Sequence, residues 1–108
     1  MKQIQIGGML FEYQEVEKLR GDDDHRLNGH ILYDERTIKV EATALNVLKL
    51  DIVWHEVIHG IAMLACADVD EKVVELLAYG ITGVLRMNPQ LGSEKAFEEW
   101  SKEVDDGA

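Results

Sequence analysis

The stretch 54-WHEVIHG-60 sets two histidines four residues apart, with a glutamate directly behind the first. On a helix, residues four apart lie one above the other, so His55 and His59 point the same way. Two imidazoles so placed can both reach one zinc ion at about 2.0–2.1 Å. Glu56 sits beside them and can serve as general base toward a zinc-held water, whose pKa the metal lowers to about 7. H-E-x-x-H on a helix is therefore a spacing with a mechanism attached. The competing reading is three polar residues that merely share a helix. Inside a helix flanked by apolar residues, two imidazoles and a carboxyl are hard to satisfy without a cation.

The surrounding sequence supplies that apolar setting. Between Thr43 and Ala65, the residues Leu45, Leu48, Ile52, Val53, Val57, Ile58, Ile61, Ala62 and Leu64 spread over most of a helical circumference. The spacing predicts a helix over residues 43–66, buried on nearly all sides and central to the fold. "ADVDEK" interrupts the pattern, and Asp68 with Glu71 three residues on resembles a capping box. A second helix is predicted over 70–88, with Val74, Leu77, Ala78, Ile81, Val84 and Leu85 as its apolar stripe and Asn88-Pro89 as its end. "SEKAFEEWSKEV" predicts a short amphipathic helix over 93–104. Ser93 is its N-cap, and Ala96, Phe97, Trp100 and Val104 face inward.

Residues 1–41 read mainly as strands and loops. Ile4 and Ile6 alternate with glutamines, Gly7-Gly8 suits a tight hairpin, and Leu10 or Phe11, then Tyr13, continue beyond it. "EVEKLRGDDDHRLNG" reads as a short polar helix or turn and then a loop. Ile31 and Tyr33 alternate, Asp34-Glu35-Arg36 turns, and Ile38 and Val40 share a face. The whole predicts one α+β domain over 1–108: a small antiparallel sheet packed on a buried helix, with a metal between that helix and the next.

Two histidines leave a catalytic zinc one protein ligand short. Asp68, Asp70, Glu71 and Glu75 are the candidates downstream. A tight helical hairpin would bring Glu75 level with His59, whereas an extended return from Cys66 to Asp70 would bring Glu71. The glutamate left over could then hydrogen-bond a ligand histidine.

Composition narrows the function classes. The 108 residues carry 21 acidic against 11 basic side chains, a net charge of -10. Phosphate-binding surfaces are basic, so no nucleic-acid partner is expected. A basic protein partner is compatible with the charge. Cys66 is the one cysteine, which rules out an internal disulfide and fits a reducing compartment. "MKQIQIGGML" does not read as a signal peptide. The longest stretch free of charged side chains, Val57 to Ala67, falls far short of a membrane span. A soluble, cytoplasmic protein is expected.

With the histidine pair followed by an acidic helix, the chain resembles a known group. "HEVIH" followed by "EKVVELLA" looks like the gluzincin branch of zinc peptidases. In that branch a glutamate on the next helix is the third ligand, and an acidic residue four positions later supports the site. The resemblance makes Glu71 the ligand and Glu75 its helper. The layout as a whole is similar to small phage- or prophage-encoded zincin-like proteins related to the ImmA/IrrE metallopeptidases. The matching pieces are "IQIGG", "TIKVE", "WHEVIHG" and "VVELLAYGITGVLRMNP", spanning most of residues 1–90. One departure is that only eleven residues separate His59 from Glu71, fewer than in larger gluzincins. The resemblance further implies an edge strand before the helix that binds extended peptide by strand addition, a place "TIKVE" occupies. It also implies an oxyanion donor, for which Tyr79, Arg86, His30 and Tyr33 are candidates. If phage-encoded, the protein would act in the host cytoplasm.

Other features carry less. Asp24 to Glu35 partly fits a calcium loop, but Arg26 stands where a carboxylate is needed and a strand follows. Asp22-Asp23-Asp24 reads as a solvated loop, and His25 and His30 as surface residues. Cys66, Trp54 and Trp100 read as core. The expected function is zinc-dependent peptide-bond hydrolysis on a peptide or protein substrate. His55, His59 and Glu71 would hold Zn2+, and Glu56 would take a proton from water and pass it to the leaving amine. The alternatives are a non-catalytic zinc-binding interaction module and an acidic mimic of nucleic acid.

Overall fold

A computed structural model of the chain describes the backbone of residues 2–107 and the side chains of residues 2–102. Among the described residues the fold is α+β, with a four-stranded sheet and three α-helices. Strands β1 (Gln3–Ile6) and β2 (Met9–Val16) form the hairpin expected around Gly7-Gly8, with Ile6 opposite Met9. Gly7 has φ +58°, a conformation that glycine adopts at no steric cost. Phe11, rather than Leu10, turns inward and is completely buried.

Strands β3 (Gly29–Leu32) and β4 (Thr37–Glu41) flank the turn at Asp34 to Arg36. The sheet order is β1-β2-β4-β3, and β4 runs parallel to β2, so the sheet is mixed rather than antiparallel throughout. The long connection from β2 makes this possible, because a parallel pair needs a dozen or more residues of crossover. Packing explains the choice. Ile38 and Val40 of β4 are fully buried, and a central position covers both. "TIKVE" is therefore an interior strand with both edges paired, and the free edge beside the helices belongs to β3.

Ile6, Phe11, Ile31, Ile38 and Val40 form the main core, each contributing about 1.5–3 kcal/mol of burial. Helix α1 (Asn46–Leu64) covers it with Ile52, Val53 and Val57. Its other flank meets α2 (Glu71–Met87), where Ile58, Val74 and Ala78 form a second cluster against Trp54. The helix is thus the middle layer, yet it is not buried all round. Val47, Leu48, Leu50, Ile61, Met63 and Leu64 are exposed, because the sheet and α2 cover two flanks and leave the ends open.

The end of α1 departs from expectation. Cys66 is exposed, with φ +53°, in the left-handed position that follows a helix. Its N–H donates to Met63 and that of Ala67 to Ala62, the pair of bonds that closes a Schellman motif. Residues 67–70 then run without regular structure. Asp70, not Asp68, caps α2 by accepting from the Lys72 N–H at 2.8 Å. Helix α3 (Glu94–Gly107) is capped by Ser93, whose Oγ accepts from the Ala96 N–H. It follows a short 3-10 turn, η1 (Pro89–Gly92), and Trp100 on it is exposed rather than core. The side chain of Val104 lies outside the described residues.

Glu41 ends β4, and its buried carboxylate accepts from the Leu19 N–H at 2.9 Å, the Thr43 N–H at 3.1 Å and the Thr43 hydroxyl at 2.9 Å. The Leu19 and Thr43 backbone donors hold its pKa below the usual glutamate range. A carboxylate with a depressed folded pKa stabilises the fold above its unfolded pKa of about 4.3. That contribution fades as pH falls through the lower folded value. Glu41→Gln is therefore expected to lower the urea midpoint at pH 7 and to flatten its dependence on pH below about 4.3.

Candidate metal centre

His55 and His59 lie on consecutive turns of α1, on the face turned toward the start of α2. Their rings are tilted 59° with centroids 4.9 Å apart, and their Nε2 atoms approach to 3.2 Å. Glu71, the first residue of α2, places Oε1 2.6 Å from Nε2 of His55 and Oε2 3.1 Å from Nε2 of His59. The extended return through residues 67–70 brings it there, and Asp70 as N-cap fixes the helix start beside it. His55, His59 and Glu71 form the one group of this kind among the described residues that could hold a metal ion, with one ligand atom from each within 4.8 Å of the others.

The donor set suits a cation. Ligands at about 2.0–2.1 Å around a tetrahedral ion lie about 3.4 Å apart. Two of the contacts here, at 3.1 and 3.2 Å, are close to that, and the 2.6 Å between His55 and Glu71 is shorter, so an ion would spread that pair. Two neutral imidazoles aiming the same ring nitrogen at each other repel unless a proton or a cation stands between them. Glu71 adds a negative charge on the open side, where its side chain is 58% exposed.

Glu56 differs. It is 7% exposed and lies against Gly29 of β3. Burial lifts its pKa above the usual glutamate range; His55, His59 and His30 oppose that shift and Glu71 adds to it. A carboxyl that holds a proton more readily than usual, beside a metal-ligand set, is suited to accepting a proton and returning it. Gly29 makes the close approach possible. A Cβ there would stand 2.5 Å from Cγ2 of Ile52 and 3.2 Å from Oε2 of Glu56. Gly29→Ala is expected to displace the Glu56 carboxyl and to lower any turnover that uses it by about tenfold or more, with metal content unchanged. Kinetics alongside elemental analysis of the variant would check this.

A cleft of about 470 Å³ opens beside Glu56 and Glu71 and is lined by Arg26, Asn28, Gly29, Asp51, Glu75 and Tyr79. Glu75 lines this cleft together with His55 and Glu71 and is not among the three residues that gather ligand atoms, and Asp68 stands exposed outside the cluster. Tyr79 reaches the cleft, whereas Arg86 is engaged by Asp51 at 2.9 Å and by the Val47 carbonyl. His30 and Tyr33 lie close enough to Glu56 for charge coupling.

Sequence reasoning overlooked the Asp51 clamp. Thr82, buried in α2, donates to Asp51 Oδ1, and the same oxygen accepts from Arg86 Nη2. These bonds pin the C-terminal half of α2 against α1. The signal was present as helical spacing: Asp51 stands four residues before His55, and Thr82 four before Arg86. Arg26 and Asn28, from the loop before β3, were also overlooked as cleft walls, and no local pattern marks them.

Among the described residues, no helix is long and apolar enough to cross a membrane. Compared with family models, curated proteins and solved structures, the chain matches none of them.

Proposed function

We propose that the protein is a zincin-like, zinc-dependent metallopeptidase. The observation that carries the reading is the convergence of His55, His59 and Glu71 through three ligand atoms, with the buried Glu56 carboxyl beside them. His55 and His59 would hold zinc through neutral Nε2 atoms, and Glu71 through its carboxylate. Bound zinc supplies Lewis acidity and a water acidified to a pKa of about 7. Glu56 would accept a proton from the attacking water and deliver it to the departing amine, one carboxyl serving both halves of the reaction. The unpaired edge of β3 leads into the cleft at Gly29 and offers its backbone groups to an extended peptide. Tyr79, which lines the cleft, would donate toward a developing oxyanion.

The reading is tested by incubating tag-free protein with a peptide library and following products by mass spectrometry. Cleavage that a chelator stops and added zinc restores is the expected result. Zinc bound at one per chain with no cleavage points instead to a non-catalytic zinc-binding interaction module. One observation favours that second reading: α2 turns a broad apolar surface, including Leu76, Leu77 and Val84, away from the rest of the fold.

A further inference from the structure

Helix α2 is apolar on two sides, but α1 can cover only one. Val74, Ala78 and Thr82, spaced four apart, are buried toward α1. Leu76, Leu77, Gly80, Ile81 and Val84 line a groove on the other side, with Leu91 of η1 at its end. That groove holds about 330 Å³ and has no charged side chain among its lining residues. Nothing in the fold lies within 4 Å of a Cβ placed on Gly80, so its floor is open.

The chain also carries an unused apolar ridge. On α3, Phe97 and Trp100 lie against each other with ring centroids 5.6 Å apart, and both are nearly half exposed. Among the described residues α3 packs against η1 and no other element, and the molecule measures 57 × 31 × 31 Å. The turn η1 that joins them therefore leaves an apolar groove on α2 and an apolar ridge on α3, each without a partner among the described residues.

We infer that the chain forms a two-fold dimer in which α3 of each copy lies in the α2 groove of the other. Such an isologous contact closes on itself and occupies both orphan surfaces at once. The six exposed apolar side chains, Leu76, Leu77, Val84, Leu91, Phe97 and Trp100, each leave on the order of 100 Å² exposed, which gives about 600 Å² per copy when all of it is covered. A pair would then bury about 1,200 Å², at the lower end of the roughly 1,200–2,000 Å² typical of stable interfaces. The charge of the chain bears on the choice of occupant. Two copies at -10 repel at long range, α3 itself carries Glu98 and Glu99 beside Phe97 and Trp100, and the groove that would receive it is lined by uncharged residues. Salt therefore strengthens this association by screening the repulsion, whereas it weakens docking of a basic partner.

The test is sedimentation equilibrium of the whole chain at tens of micromolar, in low and high salt. The expected mass is twice the 12.2 kDa of one chain, with tighter association at high salt. Trp100→Glu and Leu77→Glu each break both symmetric contacts and should sediment as monomers with unchanged circular dichroism, because both side chains are exposed in a single copy. Mixing the two variants restores one intact contact, between the unaltered helix of one copy and the unaltered groove of the other. The mixture is expected to recover a measurable dimer. A monomeric parent chain, a dimer that persists in either variant, a mixture that stays monomeric, or association weakened by salt would each overturn the inference.

Discussion

Glu56→Gln is expected to reduce peptide hydrolysis by 10²–10⁴-fold, the usual contribution of a general base, while zinc content stays at that of the parent chain. The substitution keeps the side-chain volume packed against Gly29 and removes only the capacity to accept a proton. Glu56 is not among the three residues that gather ligand atoms, so the metal has no reason to leave. The same change has a second signature in metal-free protein. Burial raises the folded pKa of Glu56, so its ionised form is less welcome in the fold than in the unfolded chain. Metal-free stability therefore falls as pH rises above about 4.3, and the fall ends once pH passes the raised folded value. Metal-free Glu56→Gln lacks that loss and should show the higher urea midpoint at pH 7. Turnover equal to the parent would exclude Glu56 as the base.

The second large effect is thermal. Zinc that binds only the folded chain, at a thousandfold excess over its dissociation constant, adds about 4 kcal/mol of stability. For a domain of about 100 residues that is roughly 15–30 °C in Tm. Chelation is expected to lower Tm by this amount and added zinc to restore it. His55→Ala and His59→Ala should melt near the chelated parent and respond to neither treatment. The direction of the coupling follows from the fold. Glu71 belongs to the second helix and the histidines to the first, so an ion among them ties α1 to α2 at the end opposite the Asp51–Arg86 pair.

These expectations rest on features that were unequally legible in the sequence. The three helices were readable because apolar spacing, Asn88-Pro89 and Ser93 each report a local property, and their observed bounds fall within a few residues of those predicted. The hairpin at Gly7-Gly8 was readable for the same reason. The direction of β4 was not. Alternation shows which face of a strand is inward and is silent about which neighbour lies beside it, so the mixed sheet and the edge position of β3 went unseen. Apolar content also overstates burial. The helix carrying His55 and His59 looked covered all round, and α2 looked one-sided, because the count of apolar residues does not say how many neighbours exist to cover them. Within the site, the spacing of His55, Glu56 and His59 was visible at once. The choice between Glu71 and Glu75 hung on whether residues 66–70 ran extended, which no periodicity reports. Contacts between distant segments, such as Leu19 with Glu41 or Asp51 with Thr82 and Arg86, were invisible for the same reason.

The proposed chemistry requires one metal ion joining His55, His59 and Glu71. Elemental analysis of the chain, purified without a polyhistidine tag and compared with His59→Ala prepared alongside, addresses it most directly. One zinc per chain is expected in the parent and near none in the variant. A parent without stoichiometric metal, or a variant that keeps as much as the parent, would contradict it.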